Sequence, residues 1–274
     1  MIVWLASYPK SGNTWVKIFL NSILSSEDKI DINKNNIRLF PLRSDFNTLN
    51  INVDNVKEFA HNCLDAQSLI NLNNKIKFFK THNALWKLGE KVFTNEENTL
   101  GVLHIVRDPR NIITSIKNHF NKKNYEEALI FLKDEKKSIG SRISKDDGDL
   151  PTIISSWSNH YNSWKKFKKN NLLIKYEDLL ENPLKEFLKI SKFIQEITKL
   201  NFEKDKIVKA VKDCSFDKLR KQEEENGFVE ANGNQKFFFL GPDNNWKILI
   251  EEDIRNNIER SFRNEMLELG YLKF

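Results

Sequence analysis

The chain has 274 residues, 39% hydrophobic and 30% charged, which describes a soluble globular protein able to bury a core without disulfide staples. Net charge is +6, from 44 basic and 38 acidic residues, and no block of like charge suggests a nucleic-acid-binding arm. The mild excess fits an anionic ligand, but fits an ordinary solvated surface better. Cys63 and Cys214, the only cysteines, have no partner at metal-ligand or CxxC spacing, and two isolated thiols suit a reducing compartment. The apolar opening MIVWLASYPK is too short for a signal peptide or membrane anchor. These features predict a cytoplasmic protein forming a single domain over residues 1–274.

In chain order, IVWLAS (2–7) is a continuous apolar run, as expected of a strand buried on both faces of a parallel sheet. ASYPKSGNTW (6–15) follows as a strand-to-helix turn. Trp15, Phe19 and Ile23, with Val16, Leu20 and Leu24 beside them, then predict a helix with a wide buried face. DINKNN (31–36) and NLNNK (71–75) read as loops. KIKFFKTH (75–82) and TLGVLHIV (99–106) read as strands. In RDPRNIITSIKNHF, Asp108 is placed to cap a helix and Pro109 to occupy its first turn. Residues 133–149 read as a solvated loop or helix end. LPTIISSWSNHYNSWKKF (150–167) is expected to be helical, with Trp157, Tyr161 and Trp164 on one side. NLLIKYE (171–177) is expected to be a strand, and 183–194 and 251–270 amphipathic helices. Strands alternating with helices predict an α/β fold in three layers, with a central, mostly parallel sheet. Ligands of such sheets bind at the carboxyl ends of the strands. Three predicted strands end in chemically suggestive residues: the 8–15 loop, Lys80-Thr81-His82, and Arg107.

The loop is phosphate-binding in character. It aims backbone N–H groups and a helix N-terminus at an anion. Gly12 permits close backbone approach, Lys10 adds a point charge, and Ser11 and Thr14 offer hydroxyls. The bland alternative is a plain turn punctuated by Pro9 and Gly12. A Walker-type kinase loop is disfavoured, because Lys10 precedes the glycine. In the RDPRNIITS stretch, Ser115 lies two turns above Asp108 and returns to the face where Arg107 leaves its strand. Arg107 and Ser115 together suit one phosphate, the arginine as a fork. Here the alternative is a surface serine and an arginine paired with Asp108. In KTH, alternation puts Lys80 and His82 on one side of an extended chain. A histidine beside a cation, at a strand end, suits a general base. His61, His104, His119 and His160 have no comparable setting and read as structural.

Taken together, YPKSGNTW, KTH, VRDPRNIITS, IKYEDLLENP, GDLPTIISSWSNHYNSW and CSFDKL, in that family's segments and order, resemble the sulfotransferases that use 3′-phosphoadenosine 5′-phosphosulfate (PAPS), the cytosolic type above all. The resemblance runs from about residue 2 to about residue 250. It implies a P-loop-like phosphosulfate-binding loop at Lys10, Ser11, Gly12, Asn13, Thr14 and Trp15, with the tryptophan against the adenine. It implies Arg107 and Ser115 on the 3′-phosphate, Tyr176 and Phe216 on the adenosine, and Gly241 in the segment that closes the site. His82 is then the catalytic base, with Lys10 and Lys80 at the reacting sulfuryl group. The implied reaction converts PAPS to 3′-phosphoadenosine 5′-phosphate (PAP) and sulfates a small-molecule hydroxyl or amine. It implies no metal, nucleic acid or membrane partner. A homodimer is admitted, although no dimer motif stands out.

One departure is visible. Relatives carry Arg-Lys-Gly before Gly-Asp-Trp-Lys, and this chain carries FFFLGPDNNWK (237–247). Gly241 and Trp246 keep the spacing, but Phe239 and Leu240 replace the two cations. Lys236, Arg220 and Lys221 are the nearby substitutes. The competing readings are a catalytically silent PAP-binding module and a P-loop kinase of small molecules. Acceptor-shaping loops are expected at 38–50, 83–92, 138–150 and 222–240.

Overall fold

The structure is a computed structural model that describes residues 1–27, 29–34, 36–140, 150–231 and 235–273. The first half of the chain forms β1 (Ile2–Ser7), α1 (Asn13–Leu24), α2 (Val56–Asn71), β2 (Lys77–Thr81), β3 (Lys87–Leu88), β4 (Lys91–Val92), β5 (Thr99–Val106), α3 (Pro109–His119) and α4 (Tyr125–Lys133). The second half forms β6 (Ser138–Ile139), β7 (Thr152–Ile153), α5 (Trp157–Lys165), β8 (Asn171–Lys175), α6 (Tyr176–Glu181), α7 (Pro183–Thr198), α8 (Lys204–Asp213), α9 (Phe216–Asn226), α10 (Trp246–Leu249), α11 (Glu252–Ser261) and α12 (Arg263–Glu268). The chain makes two compact units, each from three segments. One comprises Met1–Tyr8, Ile37–Ile105 and Asp134–Leu173; the other comprises Pro9–Asn36, Val106–Lys133 and Ile174–Phe274.

The first unit holds the sheet. Among the described residues its strand order is β2-β1-β5-β8, with β1 parallel to both β2 and β5. Every residue of β1 is buried, which is why it reads as an unbroken apolar run rather than an alternating one. Register pairs Leu5 with Lys80 and Ala6 with Thr81, so Ser7 and His82 come next in line at the carboxyl ends. An aromatic cluster packs this unit: Trp4, Phe40, Phe46, Phe59, Phe79, Phe93 and Trp164. Phe40 and Phe46 are almost wholly buried, so those rings of the 38–50 loop are core rather than acceptor lining. Helix α2 begins at Asn55, whose side chain accepts from the amides of Lys57 and Glu58.

Three sequence expectations are corrected. The helix expected over 150–167 is only α5. Thr152 and Ile153 are extended, with Ile153 bonded to Asn83 and Ala84 and with Ser156 Oγ capping the helix at Asn159 N. β-Branched residues after Pro151 favour the extended form, and Ser156 sets the later start. The strand expected over 171–177 stops at Lys175, and Tyr176 opens α6. The helix expected over 251–270 is broken into α11 and α12 at buried Phe262, whose φ of −121° is not helical. Most of the 138–150 loop lies outside the described residues.

His104 and His160 are fully buried in the first unit. His104 stacks on Tyr161, and His160 meets Tyr8 edge-on. Burial holds both rings down to about 3, with mutual repulsion adding at His104 and hydrogen bonds to the His82–Asn83 backbone opposing it at His160. Both are therefore neutral when folded and titrate near 6.5 when unfolded. Their contribution to stability is full above pH 6.5 and falls as pH drops toward 3, because the unfolded chain binds the extra protons. Urea unfolding should show about 2–3 kcal/mol less stability at pH 5.5 than at pH 7.5, from two such groups. The Glu177 carboxyl, raised chiefly by burial, acts in the opposite sense and offsets part of that loss. A flat profile would mean that the two rings protonate without leaving the core.

Candidate active site

The second unit assembles the nucleotide-binding candidates. Lys10 stands in the left-handed region at φ 66°, and Gly12 follows at φ 98°. Gly12 is obligatory twice over: a Cβ there would also lie 2.4 Å from the Tyr176 ring. Helix α1 starts directly after it, with no side-chain cap and no acidic residue in its first turn. Its amide ends and dipole are thus left to an anion.

Arg107 comes to the same loop. Its Nη1 donates to the Lys10 carbonyl at 3.0 Å, and its guanidinium lies 4.1 Å from the Tyr176 ring centroid. The pairing of Arg107 with Asp108 weighed from sequence does not form. Asp108 instead takes Arg110 in a buried ion pair at 2.7 Å, while also capping α3 at Arg110 N. Tyr176 meets Trp15 edge-on at 5.9 Å, and Trp15 Nε1 donates to the Cys214 carbonyl. Phe216 packs on Gly241, where a Cβ would lie 2.3 Å from its ring. Lys10, Gly12, Trp15, Arg107 and Tyr176 therefore form one neighbourhood, and Phe216 and Gly241 a second.

Among the described residues, the buried Ser11 Oγ and Arg107 Nε of this neighbourhood have no hydrogen-bond partner. Buried polar groups are ordinarily satisfied, and a phosphate offers the acceptor oxygens that both require. The residues present therefore fit a phosphorylated nucleotide.

Two features were not legible in sequence. Glu230 accepts from Thr14 Oγ1 and from Lys17 Nζ, both at 2.7 Å, and so sets a carboxylate against a hydroxyl expected to hold phosphate. The FFFLG segment is pinned to α9, because the amides of Phe237 and Phe238 donate to the Glu223 carboxylate. Phe237 presents its ring to Lys10, 3.8 Å from Nζ to centroid, while Phe239 is 48% exposed. The three nearby cations are drawn to α9: Lys236 and Arg220 to Glu224, Lys221 to Glu225.

In the first unit, His82 sits just past β2 beside Ser7. Its Nδ1 is 2.8 Å from the Ser7 carbonyl oxygen and 3.2 Å from Ser7 Oγ. A carbonyl only accepts, so Nδ1 carries the proton and Nε2 holds the basic lone pair. Lys80 is buried at 8% exposure within β2. No sequence motif singles out Ser7; the strand register does.

The family model for the sulfotransferase domain matches residues 2–270. The chain belongs to the sulfotransferase family. It is 25% identical over 228 residues to the dog Sulfotransferase 1B1, a match covering 79% of this chain and 65% of that one, just under two thirds. It is 24% identical over 271 residues to the Flavonol 3-sulfotransferase of Flaveria bidentis, covering 94% and 79%. Among solved structures, mouse sulfotransferase SULT7A1 complexed with PAP superposes with a TM-score of 0.62 at 19% identity, over 96% of this chain and 84% of that one. Retinol dehydratase with androsterone and PAP gives 0.61 at 15% identity, over 97% and 80%. At those identities the likeness establishes the fold, an α/β domain with a central parallel sheet of four strands flanked by helices. Among the described residues, no helix of this sulfotransferase-family chain is long and apolar enough to cross a membrane.

The Glu230 contact generates a prediction. Glu230→Gln keeps a hydrogen-bonding group beside Thr14 but removes the competing charge. It should tighten binding of both PAP and AMP by about tenfold, because a charged contact is typically worth a little more than the 1.4 kcal/mol of one decade. Titration calorimetry reads this directly. Unchanged or weaker binding would show that Glu230 supports the segment rather than opposing the nucleotide.

Proposed function

We propose that this chain transfers a sulfuryl group from PAPS to a hydroxyl or amine of a small-molecule acceptor, in the cytoplasm, with His82 as general base. The observation that carries this reading is the His82 tautomer. The Ser7 carbonyl holds the proton on Nδ1, so Nε2 accepts. The nucleotide half of the reading is supported by the unsatisfied Ser11 Oγ and Arg107 Nε.

When bound, PAPS supplies an electrophilic sulfuryl group on a phosphate leaving group. The residues of the chain do the rest. Ser11, Gly12, Asn13, Thr14 and the start of α1 hold the 5′-phosphate. Arg107 and Ser115 hold the 3′-phosphate, while Trp15, Tyr176, Phe216 and Gly241 enclose the adenosine. His82 Nε2 takes the acceptor proton as the acceptor oxygen or nitrogen bonds to sulfur. Lys10 and Lys80 place positive charge where negative charge grows on the departing oxygen. By analogy with phosphoryl transfer, alignment and electrostatics carry most of the acceleration.

His82→Ala should reduce turnover about 10²- to 10⁴-fold, the usual worth of a general base, with PAP affinity held within about twofold. Radiolabelled PAPS with an acceptor panel measures the first, calorimetry the second. A variant retaining more than a tenth of the activity would place the base elsewhere. A native protein that binds PAP but sulfates no acceptor would favour the silent module, and one that prefers ATP with magnesium would favour a kinase.

Lys10→Ala should lower PAP affinity and turnover together, because one charge serves both ground and transition states. Lys10→Met should fare no better, since the Phe237 ring already occupies the apolar side of this lysine. Normal values of both quantities would remove Lys10 from the site.

A further inference from the structure

We infer that Asn244 is a positioning residue for 3′-phosphate recognition, acting through Ser115. The inference rests on the PAPS reading above. It concerns the place where the chain departs most from its relatives. Phe239 and Leu240 stand for two cations, and the three basic side chains nearby are committed to Glu224 and Glu225. Asn244, two residues before Trp246, stands where the Gly-Asp-Trp-Lys pattern carries a glycine and so has no side chain.

Asn244 is buried, at 7% exposure, and its amide is fully engaged. Nδ2 donates to the Asn111 carbonyl at 2.8 Å and to Ser115 Oγ at 3.3 Å. Oδ1 accepts from Thr114 Oγ1 at 2.6 Å. The amide orientation is fixed by chemistry, since the Asn111 carbonyl cannot donate. The arrangement is reciprocal: Asn111 Oδ1 accepts from Trp246 N at 3.0 Å, and the Arg110 guanidinium lies 3.9 Å from the Trp246 ring centroid. The 244–246 segment is thereby clamped to α3 at the turn that carries Ser115.

The consequence falls on the Ser115 proton. A helical serine commonly bonds its hydroxyl back to the carbonyl four residues earlier, here that of Asn111. That carbonyl already accepts from Asn244 Nδ2 at 2.8 Å and, within α3, from the amide of Ser115 itself. A carbonyl oxygen has two lone pairs, so a further back-bond is disfavoured. Ser115 Oγ itself accepts from Asn244. Its own O–H is therefore directed away from the helix, as a donor for an acceptor oxygen. A neutral, preorganised donor takes over part of the task that relatives give to charge.

The experiment compares PAP with AMP, which lacks the 3′-phosphate. Affinities are measured by calorimetry for the native protein, Asn244→Gly, Asn244→Asp, Ser115→Ala and Ser115→Ala/Asn244→Gly, with thermal melts to confirm folding. Asn244→Gly should weaken PAP by about tenfold, the order of one lost hydrogen bond, and leave AMP within twofold. The double variant should be no worse than Ser115→Ala, because coupled residues are non-additive. Asn244→Asp is nearly isosteric and should cost PAP more than the glycine does, since its carboxylate draws the Ser115 proton inward and repels phosphate. A PAP-to-AMP ratio unchanged in both Asn244 variants would overturn the inference, as would equal losses for PAP and AMP or additive effects with Ser115→Ala. A native protein that binds PAP no better than AMP would instead fail the PAPS reading and take this inference with it.

Discussion

The second unit depends on one buried ion pair. Asp108 and Arg110 are both about nine-tenths or more buried, and neither would be tolerated there alone. Each is satisfied many times. Arg110 also reaches Glu259 and the Tyr271 carbonyl, and it underlies Trp246. Asp108 caps α3, and its amide donates to Glu177. Tyr271 in turn donates to Glu177, whose carboxyl is raised chiefly by burial. By absorbing Asp108, Arg110 leaves Arg107 to turn the other way, toward the Lys10 carbonyl and the Tyr176 ring.

In the first unit the corresponding constraint is strand register. A slip of one residue between β1 and β2 would reverse the faces of Lys80 and His82. It would also take the Ser7 carbonyl away from Nδ1 and release the tautomer. The aromatic cluster on β1 and β2 guards against that slip, since Trp4 and Phe79 would lose their shared core. The Nδ1 proton of His82 is thus held in place by the packing of rings earlier on the same two strands.

Charge is distributed unusually for a site expected to bind a dianion. Two cations of the family pattern are absent, and a carboxylate, Glu230, lies on Thr14. The gains are neutral: aromatic rings at Phe237 and Phe238, and amides at Asn111 and Asn244. Neutral donors are weaker than charged ones in isolation, but they lose less solvation on burial. Recognition in such a site leans on geometry more than on field strength.

Much of this was legible in the sequence, for local reasons. β1 and β5 begin and end where their apolar runs do, because a strand buried on both faces has no other signature. The Asp108 cap and Pro109 start of α3 are equally local. So is the order of YPKSGNTW, KTH and VRDPRNIITS, from which the family followed. The misread elements lie where a single residue sets a boundary against a continuing pattern, as Ser156, Tyr176 and Phe262 do. What only the tertiary structure decided was pairing. Arg107 and Arg110 are equally plausible partners for Asp108 on paper, and Ser7, Glu230 and Asn244 belong to no motif. Each acquires its role from a group 75 to 216 residues away or on another helix. Hydrogen bonds and ion pairs act over about 3 Å, a scale on which sequence order carries no information until the backbone has been folded.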